Sequence, residues 1–236
     1  MKTKGGEVLT GTFAGRVRQR GRGVEVTSAS AAGATLHAAQ AAVLAVPRFV
    51  AARIVEGFPS ERWEDVRAME WRAYLVANIL LARRPKVDWY DAYRVEEIDP
   101  RDCGWTDLIL ADHAAGAHGP YTVLTAYRAL PYSGGRNELL TDDDYSRHRD
   151  VVRRDLRPWL PALGLREADV VDINLARWGH PLVLAKPGQL ASGTLERISA
   201  PLGPIVFAQQ DRFGVPAIES ALEAAFVAAD EASKLI

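Results

Sequence analysis

The stretch Gly203–Ile236, GPIVFAQQDRFGVPAIESALEAAFVAADEASKLI, holds three elements in succession. Ile205-Val206-Phe207-Ala208 is an apolar run, long enough for a buried strand and too short for a helix. Gln209 to Gly214 is polar, ends on glycine and suits a turn. From Pro216 onward Ile218, Ala221, Leu222, Ala225, Phe226 and Ala229 recur at spacings of three and four. That spacing predicts an amphipathic helix with these residues as its apolar stripe and Pro216 near its first turn. A strand feeding a turn and then a helix start offers free backbone N–H groups at the positive end of the helix dipole. An anionic or electron-rich ligand docks at such a place. Most helix starts hold nothing, so an ordinary turn stands as the alternative reading of the local pattern.

Upstream, Val8 to Val26 alternates weakly around glycines and reads as two short strands joined by a basic turn at Arg18–Gly23. Thr35-Leu36-His37 reads as a third strand, and Ala41–Val46, ended by Pro47, as a buried one. Phe49, Val50, Ile54 and Val55 have helical spacing, closed by Gly57-Phe58-Pro59. Glu61–Trp71 suits a short helix or a lead-in loop. Ala73–Ala82 is apolar but for Asn78 and fits a long buried strand or three helical turns; strand is favoured because Trp105–Ala111 and Tyr121–Ala129 follow with β-branched and aromatic content. They predict an antiparallel sheet with one face packed and the other facing a cavity or water; Gly116–Pro120 makes one turn. Asp142–Leu160 predicts a helix with an acidic first turn and Pro158 at its end or at a kink. Val170–Trp178 predicts a strand, broken at Gly179-His180-Pro181. Lys186–Gly193 predicts a loop, and Leu195–Ile198 a single turn.

Of the 236 residues, 48% are hydrophobic, enough for one or two domains with a core. Basic residues number 29 against 30 acidic ones, a balance that argues against a nucleic-acid partner. The basic cluster at Arg16–Arg22 reads as a solvated loop. Cys103 is the single cysteine, which excludes a disulfide framework or a cysteine metal site within the chain. The five histidines lack metal-ligand spacing, and the Asp112-His113…His118 cluster reads as a solvated loop rather than a metal site. The N-terminus has no apolar signal-peptide core, and no run approaches the ~20 residues that span a bilayer. A soluble, cytoplasmic protein is expected. No GxSxG elbow occurs, so serine-hydrolase chemistry has no support.

FAQQD, Gly214, Glu219-Ser220-Ala221 and Ala228-Ala229 together resemble the C-terminal FAD motif of the flavin-containing amine oxidase and protoporphyrinogen oxidase-like superfamily. The VLAVP and RFVAARI segments, the YTVLTAYRAL block and the RWGHPL string follow in the order of that family, so the resemblance spans roughly Leu9 to Ala229. It implies an α/β protein: part of a Rossmann-like FAD-binding domain with an inserted antiparallel substrate-binding sheet flanked by helices. It implies residues 1–58 and 185–236 as the FAD-binding portion and 59–184 as the substrate-binding domain. By position Asp211 matches the family's acidic FAD contact, and Ala217, Ile218 and Glu219 the helix start aimed at the flavin ring. Ala14 matches a small residue near the adenine, and Pro47 a strand end near the cofactor. Gln209 and Ser220 stand where glycine is usual. Two further readings stay open. Asp211-Arg212 is either a turn ion pair or a cofactor contact; Trp178 is either core or a cavity wall, with His180 bonding substrate or cofactor.

The resemblance implies hydride transfer from a small organic substrate to FAD, with the catalytic residue unassigned and no metal. Such a protein needs a GxGxxG turn for the pyrophosphate, and none occurs in this sequence. The expectation is therefore a C-terminal half, completed by a partner chain that supplies GxGxxG, or else a non-catalytic accessory domain.

Overall fold

A computed structural model describes residues 5–95, 103–112 and 120–236. The expected His113–His118 part of the metal-like cluster and most of the Gly116–Pro120 turn lie outside the described residues. The chain forms two compact units, Met1–Glu70 with Val183–Ile236, and Trp71–Leu182. The mixed α/β class with antiparallel sheets is as the resemblance implied.

The first unit opens with a meander of β1 (Phe13–Arg20), β2 (Gly23–Ser30) and β3 (Gly33–Ala39), paired antiparallel in that order. The expected basic loop is mostly strand. Arg16, Arg18 and Arg20 lie on β1 and only Gly21-Arg22 turn, Gly21 at a φ of 58° that suits glycine. Arg16 pairs with Glu56 and Arg18 with Glu25, so strand residues rather than a loop carry this charge. β4 (Ala42–Leu44) then runs parallel to β10 (Ile205–Phe207), and each is the other's single strand partner among the described residues. β4 is shorter and wetter than expected, with Val43 46% exposed, because nothing described pairs along its second edge.

Helix α1 (Arg48–Ile54) starts on Pro47, and α2 (Ser60–Ala68) on Pro59; a fixed φ and a missing N–H suit both positions. Ala51 and Val55 from α1 and its C-cap join Val17, Val24, Ile205 and Phe207 in one core. A short helix α4 (Thr194–Ser199) precedes β10, and α5 (Ile218–Ser233) ends the unit, packed on β4 and β10. The face of α5 differs from expectation. Ala224 and Ala228 are buried, whereas Ile218, Leu222 and Phe226 are 78%, 55% and 73% exposed. Alanines let the helix backbone approach the strand pair closely, and the larger stripe is left facing outward.

The second unit is a five-stranded sheet in the order β6 (Asp91–Tyr93), β7 (Asp107–Leu110), β8 (Thr122–Ala129), β5 (Glu70–Leu81), β9 (Val170–Leu184). β9 runs straight through Gly179-His180-Pro181, where a break was expected. It is the sheet's edge strand, and an edge tolerates proline because one side of its backbone needs no partner. Helix α3 (Asp142–Leu156) lays Val152 and Leu156 on the packed face against Leu75, Ile79 and Leu124. Thr141 caps α3 by accepting the Asp144 N–H at 3.0 Å, and Asp142–Asp144 set negative charge at the positive end of the helix dipole. Pro158 falls in a 3-10 turn just beyond the helix, consistent with a stop.

A buried polar network ties α3 to the sheet. Arg128 donates Nε to Cys103 O at 2.7 Å and Nη1 to His148 Nδ1, and His148 Nε2 donates to Glu138 O at 2.8 Å. Both ring nitrogens are thus engaged by a neutral imidazole. Burial first, then the Arg128 and Arg147 cations, hold the His148 pKa below its ordinary value, against the opposing pull of the Glu138 backbone and carboxylate. The unfolded chain therefore takes up this proton at higher pH than the folded one. Stability from this group is complete above the unfolded histidine pKa of about 6.5 and is lost as pH falls toward the lower folded value. The urea midpoint should drop between pH 7 and pH 5, and His148→Gln should flatten that drop; an unaltered slope in the variant would refute the assignment.

Candidate functional site

On β5 the residues Ala73, Leu75, Ala77, Ile79 and Leu81 are buried, and their neighbours alternate to the other face. Register extends that alternation across the sheet. Val76, Tyr127, Asp107 and Tyr93 form one row on the open face, and Asn78, Thr125, Ile109 and Asp91 the next. The Tyr74 and Tyr127 rings lie 5.7 Å apart, tilted at 40°. Thr125 donates to Asn78 Oδ1 at 3.0 Å, Tyr93 to Asp91 Oδ2 at 3.0 Å and Thr106 to Asp107 Oδ2 at 2.7 Å. Partial burial, reinforced by Tyr127, raises the Tyr74 pKa, so the phenol stays protonated at neutral pH. The face thus presents paired aromatic rings beside two carboxylates.

Trp178 and His180 lie on β9. Trp178 is half exposed, so it is no core residue. Arg136 Nη1 donates to His180 Nε2, which places the ring proton on Nδ1, and the ring stands edge-on to Trp71 at 6.4 Å. Sequence reading singled out these two residues and not Tyr74, Tyr127 or Asp107. AYLVANILL is apolar but for Asn78, YTVLTAYRA does not alternate in hydropathy, and Asp107 lies in a separate segment, so no local pattern marked this face.

In the first unit Asp211 is fully buried in the 3-10 turn Gln210–Arg212. Its Oδ2 accepts the Arg48 N–H at 3.3 Å, so the structure brings Asp211 beside Pro47. Gln209 Oε1 accepts the Asp211 N–H at 2.7 Å; its φ of −158° is extended, so glycine is not required there. Arg212 pairs with Glu231 at 2.9 Å, a cross-link onto α5. Arg48 is buried against the Phe207 ring, 4.6 Å to its centroid, and burial pulls its pKa down to about 10. Its Nε and Nη1 have no acceptor among the described residues. Ala217 is the N-cap of α5, with no side-chain cap, and Ile218 and Glu219 open its first turn exposed. Ala14 stands on β1, exposed beside a bulge, whereas Pro47, Asp211, Ala217, Ile218 and Glu219 lie in turns and helix starts outside the sheets. Among the described residues no group of three or more histidine, cysteine or acidic side chains could hold a metal ion. No described helix is long and apolar enough to cross a membrane.

A family model for flavin containing amine oxidoreductase matches residues 2–233. The chain belongs to that family. FAD is the cofactor of the family, and the segment from β10 to α5 offers a buried acid in the turn and a helix start whose N–H groups carry no side-chain cap, chemistry that suits an electron-rich group. Oxidoreductase PigB of Serratia sp. (strain ATCC 39006) is 24% identical over 196 residues, 78% of this chain and 28% of PigB. A putrescine oxidase structure, wild type bound to putrescine, superposes at a TM-score of 0.66 with 16% identity, over 93% of this chain and 48% of that one. Cyclohexylamine oxidase from Brevibacterium oxydans IH-35A gives 0.63 and 18%, over 94% and 48%. The chain spans about half the length of these two solved structures and less of PigB. At these identities the likeness to solved structures establishes the fold alone.

Proposed function

We propose that the chain forms the substrate sheet and the ring-end cofactor elements of an FAD-dependent oxidoreductase acting on a small organic amine. The observation that carries this reading is the β10–turn–α5 unit, with Asp211 held inside and the α5 start uncapped. FAD, when bound, would supply the redox chemistry, acceptance of a hydride equivalent from a substrate C–H bond. Asp211 fixes the turn against Pro47, and Ala217, Ile218 and Glu219 present the helix start to the ring. Ala14 lies toward the adenine end. On the sheet, Tyr74 and Tyr127 hold the apolar body of the substrate. The Asp107 carboxylate, half-buried in the same row, holds its ammonium group and takes up the proton that must leave before oxidation. Trp178 and His180 wall the far end. An amine suits these carboxylates, and the names of putrescine oxidase and cyclohexylamine oxidase point the same way.

The second reading, a binding domain that completes a partner, draws on the unpaired edge of β4 and the exposed α5 stripe. A polypeptide bearing a strand–GxGxxG–helix unit is the partner this geometry invites. Both readings meet in one experiment, a visible spectrum after incubation with excess FAD and desalting. The isolated chain should emerge nearly colourless, and flavin bands near ~450 nm should be retained once a GxGxxG-bearing half is co-expressed. Retained flavin in the isolated chain would remove the need for a partner. No flavin in either preparation would overturn the cofactor assignment.

A further inference from the structure

The antiparallel meander of the first unit ends in a strand edge that carries none of the usual guards. β3 pairs with β2 on one side and has no strand partner on the other among the described residues. Its seven residues, GATLHAA, contain no charge and no proline, and its register against β2 runs without a bulge. All are exposed except His37, which is half-buried, and Leu36 is 57% exposed. Two other edges in this chain are guarded. β1 has a bulge between Ala14 and Arg16 and a bridge from Val17 to Val55, and β9 carries Asp172, Arg177 and Pro181. Bulges, charges and prolines are the means by which an edge avoids pairing.

Two observations say what fits β3. The turn from β2 to β3 has two residues, Ala31-Ala32, with Ser30 opposite Gly33. In a hairpin of that length the flanking pair is hydrogen-bonded, and the pattern alternates from there. Ala34, Leu36 and Ala38 therefore turn their N–H and C=O groups outward, away from β2. The second observation is the order of side chains about Leu36. An antiparallel copy of the strand, related by a two-fold axis through Leu36, sets Leu36 on Leu36, Ala34 on Ala38 and Thr35 on His37. Apolar residues meet on one face and polar ones on the other, and no charge is brought opposite a charge. A shift of the axis to Thr35 sets His37 on Gly33, and a shift to His37 sets Thr35 on Ala39, so the match is lost. The apolar face runs on through Ala29, in register with Ala34, to Phe13, which is 68% exposed. The arginines beside it, Arg16 and Arg18, are neutralised by Glu56 and Glu25.

We propose that β3 pairs with β3 of a second copy of this chain, joining the two meanders into one antiparallel sheet across a two-fold axis at Leu36. The outward groups of Ala34, Leu36 and Ala38 supply the hydrogen bonds. The contact is a single seven-residue strand, smaller than the ~1,000 Å² of a stable interface, so the dimer is weak and concentration-dependent. This inference rests on neither reading of the proposed function, and the flavin-free chain suffices to test it.

Sedimentation equilibrium from about 10 µM to 1 mM should show a monomer–dimer transition. At the higher concentration the amides of Ala34, Leu36 and Ala38 should exchange more slowly, while those of Thr35 and His37, already bonded to β2, should not change. That pattern needs no variant. Leu36→Lys sets two ammonium groups face to face and should weaken the dimer by about tenfold or more, and Leu36→Glu should do the same with carboxylates. An equimolar mixture of the two variants should restore it, since each lysine then faces a glutamate. A monomer throughout the range, or variants that stay apart on mixing, would overturn the proposal. So would a dimer undiminished in Leu36→Lys, which would place the contact at the β4 edge or the α5 stripe instead.

Discussion

Phe207→Ala should lower the unfolding free energy of the first unit by about 3–5 kcal/mol, the usual cost of truncating a fully buried phenylalanine. Phe207 ends β10 with no exposed surface, and its ring does three jobs at once. It fills the core with Val17, Val24, Ala51, Val55 and Ile205. It stands edge-on to Phe58 at 6.4 Å. It also takes the Arg48 guanidinium at 4.6 Å and that of Arg62 at 5.8 Å, each a cation–π contact strengthened by burial. Alanine leaves a cavity and strips the π face from Arg48, whose Nε and Nη1 already lack acceptors among the described residues. The core that must absorb this loss is small, so little compensation is at hand. Urea unfolding measures the drop, and amide exchange locates it. Protection should fall first at Ala42–Leu44 and Ile205–Phe207, because the two strands pair with each other alone among the described residues. Phe207→Leu, which keeps most of the apolar volume, should fall between the two. An alanine variant as stable as the unaltered chain would mean that the ring is not the centre of this core.

The sequence carried the strands well where one face is packed and one is open. AYLVANILL is apolar but for Asn78 and YTVLTAYRA is rich in β-branched and aromatic residues, and both form strands whose burial alternates along the chain. The last helix was legible in extent and not in orientation. In an alanine-rich helix two stripes qualify as apolar, and periodicity favours the bulkier Ile218–Leu222–Phe226 over Ala224 and Ala228. What decides is how closely a backbone can approach a two-stranded sheet, a property of the packed pair rather than of the helix. β9 shows a similar limit: Pro181 reads as a break until the strand is known to be an edge. Of the proposed site, Asp211, Trp178 and His180 were singled out through motif resemblance. Asp107 was not, because its place depends on its register opposite Tyr127, a long-range pairing that no local window contains. Buried arginines were equally hidden, since composition assigns charges to the surface.

Arg128→Met should destabilise the second unit by about 3 kcal/mol, and Arg128→Lys should recover little of it. Arg128 is buried on β8, and its charge is spread over a planar fork that meets two acceptors in different directions, Cys103 O and His148 Nδ1. Methionine fills the volume and abandons both acceptors inside the core, each unpaired at a cost of roughly 1–3 kcal/mol. Lysine offers a point cation on a longer, flexible stem, which reaches one acceptor and not both. The consequence passes along the chain of contacts. Cys103 O is held by Arg128, Cys103 Sγ donates to Trp105 O at 2.7 Å, and the Gly104 N–H is bound by Asp155. Gly104 itself sits where a Cβ would lie 2.6 Å from Asp155 Cβ, so this segment has one seat against α3. Release of Cys103 O therefore frees the base of Trp105, and tryptophan emission in the native baseline should shift to the red before the main transition. The same variant removes the cation that lowers the His148 pKa, so His148 should titrate at higher pH than in the unaltered protein, measured by its ring-proton shifts. A variant with unchanged stability and an unmoved histidine titration would show that the short Arg128–His148 contact contributes nothing in solution.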